Sequence, residues 1–337
     1  MIDTLKSLLS SHPKHFKSTY KNSGFTLIEL LVAMVLAALV ITPLMTFMLQ
    51  ILNSDRQEQA KSTSTQEIQS ALDYIAQDLE QAVYIYDATG LDNNLNTTAG
   101  ATSGIKDQIP PAQGTNCSND SSSNSSCTPV LVFWKREPVE KIIPVTSTNC
   151  TTTPTGCDDS FVYSLVAYYL VKGNDADNTW SNTARIARFQ IRDGIVNPTT
   201  PTTTTNGETT PNYLQEPSEG FKLFDVSLPG ATLKDKMNRW RKASANYTDT
   251  ALVLADFIDK STTGISVNCP TNYQQVPSTL RGGFYACVDS SKTSAQVFIR
   301  GNALARIQQS DTYSASQATY FPTGSVQVKG RSSLDTN

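Results

Sequence analysis

Residues 25–52 read FTLIELLVAMVLAALVITPLMTFMLQIL, an apolar run of 28 residues carrying one charge, Glu29. As an α-helix rising about 1.5 Å per residue, it would span about 42 Å, more than the roughly 30 Å of a bilayer's hydrocarbon core. Such a helix belongs in lipid or against other apolar helices. The plain expectation is a single N-terminal anchor with its lysine-rich flank on the cytoplasmic side.

Three residues do not suit a plain anchor. Glu29 places a carboxylate near the start of a membrane helix, which costs a few kcal/mol on insertion scales. Gly24 stands directly before Phe25, so a processing-like junction precedes the apolar run, whereas a secretory cleavage site follows it. Cutting there would create an α-amino group one helical turn from Glu29, and the two charges could neutralise each other within a chain or between neighbours. Pro43 removes one helix hydrogen bond and permits a kink or local melting.

The string GFTLIELLVA, preceded by Lys21, Asn22 and Ser23, resembles the leader of type IV pilins and type II secretion pseudopilins. The resemblance covers roughly residues 20–52. It implies cleavage between Gly24 and Phe25 by a prepilin peptidase, N-methylation of Phe25, and an assembly role for Glu29. Further on, ALDYIAQDLEQAVYIY is similar to the matching region of J-type minor pseudopilins. VFIRGNALAR at 297–306, with the cysteine pattern and the Thr-rich insertions, resembles pseudopilins of polysaccharide secretion in filamentous cyanobacteria.

Charge follows the same division. Residues 1–24 carry four lysines against Asp3, a net of +3, which leaves −6 for the remaining residues of a chain whose total is −3. A basic leader before an acidic body fits an exported precursor, and the acidic body opposes phosphate binding. Lys234, Lys236, Arg239, Arg241 and Lys242 form a local basic cluster that keeps DNA uptake open as an alternative. Both histidines, His12 and His15, lie in the leader. A body without imidazole excludes a histidine general base, Ser-His and Cys-His pairs, and the commonest zinc ligand. No G-x-S-x-G elbow occurs either. We therefore expect no enzyme, no catalytic residue, no cofactor and no metal. The stretch KGNDADNTW offers Asp175, Asp177 and Asn178 as oxygen ligands for calcium, but no Glu follows at the required spacing, and a turn between strands is the competing reading.

Six cysteines, Cys117, Cys127, Cys150, Cys157, Cys269 and Cys287, show no C-x-x-C spacing. In an oxidising compartment they allow fifteen connectivities. Sequence neighbours suggest Cys117–Cys127, Cys150–Cys157 and Cys269–Cys287, each pinning a polar loop.

From Ile68, apolar residues recur as Ile68, Leu72, Ile75, Leu79, Ala82 or Val83, and Tyr86. This stripe continues the helix to residue 86, with Glu67, Asp73, Asp78 and Glu80 off it. Residues 87–128 read as a long exposed loop. Strands are expected at 130–134, 161–171, 184–193, 220–226, 264–267, 284–289 and 295–301, and helical spacing occurs at 231–245 and 249–260. The tract NPTTPTTTTNGETTP at 197–211, eight of whose fifteen residues are Thr, cannot bury a core and reads as a mobile excursion open to glycosylation.

The expected fold is α+β: a long N-terminal helix packed on a C-terminal antiparallel β-sheet domain with long polar loops. Its divisions are a leader at 1–24, an assembly helix at 25–52, its amphipathic continuation at 53–86, an extracytoplasmic β-rich domain at 87–312 and a loosely ordered polar tail at 313–337. The resemblance implies a structural minor subunit. Its partners are the prepilin peptidase, other pilin or pseudopilin subunits, an inner-membrane assembly platform, and lipid before assembly, with no nucleic acid. Its place is the inner membrane, N-terminus cytoplasmic, and then a periplasmic or cell-surface filament supporting polysaccharide or protein secretion and motility. The alternative is a pilus-tip adhesin that contacts a surface or glycan through Tyr168, Tyr169 and Trp180.

Overall fold

The computed structural model describes residues 24–98, 100–111, 126–145, 150, 155–173, 179–205, 208–308 and 312–331. The chain divides into two compact units, Met1–Asp55 and Arg56–Asn337. Helix α1, Leu27–Glu80, begins in the first and ends in the second. It contains no glycine and a single proline, Pro43. The missing N–H at Pro43 leaves the Leu39 carbonyl without its helical donor. Beside this gap the Thr42 hydroxyl donates to the Ala38 carbonyl at 2.8 Å and the Thr46 hydroxyl to the Thr42 carbonyl at 3.0 Å.

In the second unit α1 buries Ile68, Leu72, Ile75 and Leu79, the three-and-four spacing of the stripe read from sequence. The stripe does not stay helical to residue 86. α1 stops at Glu80, the Gln81 N–H donates to the Asp78 carbonyl, and the chain enters strand β1, Ala82–Ile85. Ala82 to Tyr86 are all buried, and a run buried on both faces and rich in β-branched and aromatic residues suits a strand between two layers.

Residues 87–111 are not the exposed loop expected. A single turn, α2 at Ala88–Asp92, is capped by Asp87, and Leu91, Ile105 and Ile109 are buried. A few apolar anchors suffice because Arg239 donates to the carbonyls of Asn96, Thr98 and Ala101, supplying the bonds this irregular backbone needs.

The main sheet is five-stranded and antiparallel. β2 (Ser126–Pro144), β3 (Cys157–Lys172) and β4 (Ala184–Arg192) form its centre, and β9 (Leu252–Ile258) its far edge, in the order β1-β2-β3-β4-β9. Between β4 and β9 the chain forms β5 (Ile195–Val196), β6 (Thr202–Thr205), β7 (Glu208–Pro211), β8 (Tyr213–Gln215) and the turn α3 (Leu233–Met237). Pairing of β6 with β7 makes the Thr-rich tract a hairpin whose described residues are all exposed: ladder hydrogen bonds order it although it buries no core.

A second antiparallel sheet has the order β10 (Gln274–Val276), β11 (Phe284–Asp289), β12 (Ser294–Arg300) and β13 (Thr323–Lys329). The tail expected to be loose thus supplies β13, paired with β12 from Ser294–Lys329 to Arg300–Thr323. Its inward positions are Gly324, Val326 and Val328, and a glycine in the first hid the alternation. That glycine is required: a Cβ there would lie 2.7 Å from Leu72 Cδ1, and one at Gly301 would lie 2.7 Å from Ile68 Cδ1. The second sheet thereby packs closely on the buried stripe of α1. Where the sheets meet, Ile258 bridges Gly301 and Asp259 pairs with Arg300 at 2.6 Å.

Four other expectations differ. Residues 220–226 form no strand; Phe221 and Phe224 pack edge-on against Trp134, covering the sheet face opposite α1 together with Trp240. Residues 264–267 form no strand either, and Gly264 takes a φ of +72°. Of 231–245 only α3 is helical, held by the Thr232–Asp235 capping box, while 249–260 supplies β9, since a short apolar run carries no reliable period of its own.

The end of α1 is fastened by charge. Asp78, read as off the core stripe, is buried and accepts from Lys135 Nζ (3.1 Å), Arg188 Nε (2.7 Å) and Tyr168 Oη (2.6 Å). Lys135 also reaches Glu137 (2.7 Å), which accepts from Ser164 and Gln190. Burial pushes both carboxyls upward, but Arg188, Lys135 and Tyr168 outweigh it at Asp78, and Lys135, Ser164 and Gln190 at Glu137, so both sit below the ordinary carboxylate range.

Candidate functional site

The first unit carries the residues singled out from sequence. Gly24, Phe25 and Thr26 lie outside any regular element and lead into α1, and Phe25 is 85% exposed. Thr26 and Glu29 form a reciprocal cap. The Glu29 N–H donates to Thr26 Oγ1 (3.3 Å), and Glu29 Oε2 accepts from the Thr26 N–H (3.1 Å) and hydroxyl (3.0 Å). A Thr-x-x-Glu pair at this position satisfies two of the backbone donors a helix start leaves open. This cap was legible in the sequence, and reading Glu29 as a membrane charge alone overlooked it.

Every residue from Gly24 to Gln59 is exposed. An apolar surface on all sides of a helix is stable in lipid or among other apolar helices. By length and composition α1 can cross a membrane.

Outside this segment, Tyr168 and Tyr169 are fully buried and so cannot be contact residues of an adhesin; both serve the sheet core. Trp180 is 38% exposed. In the basic cluster, Lys234 pairs with Asp87 (2.6 Å), Arg239 holds backbone carbonyls, and Lys242 donates to the carbonyls of Ala243 and Ala245. Three of its five cations therefore have internal work. Among the described residues no group of three His, Cys, Asp or Glu side chains is placed to hold a metal. Asp175, Asp177 and Asn178 lie outside the described residues.

Among the described residues, disulfides join Cys150 to Cys157 and Cys269 to Cys287. Cys127 is disulfide-bonded as well, and Cys117 lies outside the described residues.

Comparison with known families gives a match that falls on the first unit. Residues 19–45 match the prokaryotic N-terminal methylation motif. The motif is a type IV pilin-like signal, spanning Gly24, Phe25, Glu29 and Pro43, and it supports a pilin or pseudopilin processed by prepilin peptidase. Together with the apolar helix, it fits single-pass anchoring in the inner membrane. No curated protein and no solved structure gives a significant match to the chain.

Proposed function

We propose that the chain is a low-copy structural subunit of a type IV pilus-like or type II secretion-like filament. The observation that carries this reading is the methylation motif seated on a helix that is apolar and exposed on every side. In this account residues 1–24 are a leader on the cytoplasmic side, cut between Gly24 and Phe25, after which Phe25 is methylated. Residues 25–52 are the assembly helix, held in lipid until an inner-membrane platform draws them into a helical core. There Glu29 exchanges its own cap for the amine of a neighbouring subunit, the pairing that makes a carboxylate tolerable in an apolar core. The remaining residues form the extracytoplasmic part. The bulk of the second unit favours a minor, tip-proximal place, where size does not interrupt a repeat. The likeness of VFIRGNALAR to cyanobacterial pseudopilins supports polysaccharide secretion and surface motility as the process served.

The test is the intact mass of the protein isolated from wild-type membranes. A chain starting at Phe25 with one added methyl group is expected. A chain retaining residues 1–24 would overturn the proposal.

A further inference from the structure

A groove of about 750 Å³ lies in the second unit between α1 and β9, with Trp180 at its rim. That size falls among clefts that hold small ligands, about 300–1,000 Å³. Two aromatic side chains line it in the open, Trp180 at 38% exposure and Tyr74 at 43%, whereas Trp134 and Trp240 are fully buried. An indole left in water on a concave surface presents a flat apolar face.

Of the three charged side chains in the groove, two pair with each other, and the third, Asp256, is held by neutral donors. Glu67 pairs with Arg306, whose guanidinium also donates to Ser64 and stacks 4.0 Å from the Phe257 ring centroid. Asp256 accepts from the Ser181 N–H (2.8 Å) and hydroxyl (2.7 Å). The other polar side chains along the helix side are neutral: Thr63, Gln66 and Ser70. An acidic peptide or a nucleic acid would find no unpaired cation in such a lining. A ring with apolar faces and a hydroxylated rim matches both parts of it.

The strand beside the groove is irregular. The pairing of β9 with β4 shifts register twice, between Ala184 and Ile186 and again between Ile186 and Ala187. Phe257 takes a φ of +55°, a conformation costly for a bulky residue. Irregular, strained strands of this kind concentrate where side chains are re-aimed at a binding site.

We propose that this groove binds an uncharged saccharide chain, with Trp180 and Tyr74 stacking on sugar faces and Gln66, Ser70 and Thr63 meeting hydroxyls. The site is independent of filament assembly and does not require Glu29 to pair. Trp180 is its own reporter, since the other two tryptophans are buried. Full-length protein in detergent, titrated with cellohexaose, maltohexaose, mannohexaose and laminarihexaose, should show a saturable fluorescence change with at least one of them. Trp180→Phe should remove the signal while keeping part of the binding by calorimetry. Tyr74→Ala and Gln66→Glu should each weaken binding by roughly tenfold. Phe161→Ala, an exposed aromatic outside the groove, should not weaken it. No saturable response to any of the four, affinity unchanged in both Tyr74→Ala and Gln66→Glu, or binding of a charged peptide in their place would overturn the proposal.

Discussion

Glu29 Oε2 lies 3.1 Å from the Thr26 amide nitrogen and 3.0 Å from its hydroxyl, so the one acidic side chain in the apolar segment already has a partner in its own chain. This explains how a carboxylate can be carried through membrane insertion before any neighbour is available. The cap donors neutralise part of its charge, and the helix start gains two satisfied amides. The cap also separates two roles that removal of the side chain would confound, since Gln can occupy the same capping position without charge.

Replacing Gly24 with Leu should leave precursor uncut and still inserted, because insertion depends on the apolar run and cleavage on the junction. Immunoblots of membranes would show one slower band of normal abundance. Normal processing of Gly24→Leu would contradict the assignment of the junction.

Asp78 gives a prediction in stability and pH. Asp78→Asn keeps the volume but leaves Arg188 without its carboxylate and Lys135 with Glu137 alone, at a cost of about 3–5 kcal/mol near neutral pH. Because the Asp78 carboxyl is held below its ordinary value in the folded state, its contribution is present above the unfolded pKa and is lost as pH falls through the folded one. The gap between wild type and Asp78→Asn should therefore narrow only below about pH 4 in urea melts. A gap that narrows between pH 5 and 7 would contradict the pairing.

Close approach of the second sheet to α1 can be tested by compensation. Gly301→Ala should cost about 1–3 kcal/mol through its clash with Ile68 Cδ1, and Ile68→Val alone about 0.5–1.5 kcal/mol. Combined, they should cost clearly less than the sum, because Val lacks the clashing carbon. Simple additivity would place the conflict elsewhere.

The two disulfides that close loops of 7 and 18 residues' separation should each contribute roughly 2–4 kcal/mol by restricting the unfolded chain. Non-reducing digestion should recover both linked peptides from exported protein. Recovery of Cys150, Cys157, Cys269 and Cys287 as alkylatable thiols would contradict the oxidised fold.

The sequence made the apolar helix, its processing-like junction and the central strands β2, β3, β4, β11 and β12 legible, because long runs with one period leave little choice. It misled where one residue broke a period for a tertiary reason. Gly324 occupies an apolar position in β13 because Leu72 fills that space, so a true strand read as polar tail. Asp78 sits off the apolar stripe, and nothing local shows that Lys135 and Arg188, far along the chain, reach it. Ala82–Tyr86 satisfies helical and strand spacing equally, and only burial on both faces decides between them. Trp180 stands out in the sequence as a candidate contact residue, whereas nothing local marks Tyr74 as exposed.

In the proposed role, the charge of Glu29, beyond its capping role, drives assembly. The measurement is the amount of Glu29→Gln protein in sheared filaments relative to its amount in membranes, with Glu29→Val alongside. Gln preserves the cap, so processing and membrane abundance should match wild type, while the filament fraction should fall to background for both variants. Wild-type incorporation of Glu29→Gln would show that the cap alone suffices and would contradict the account.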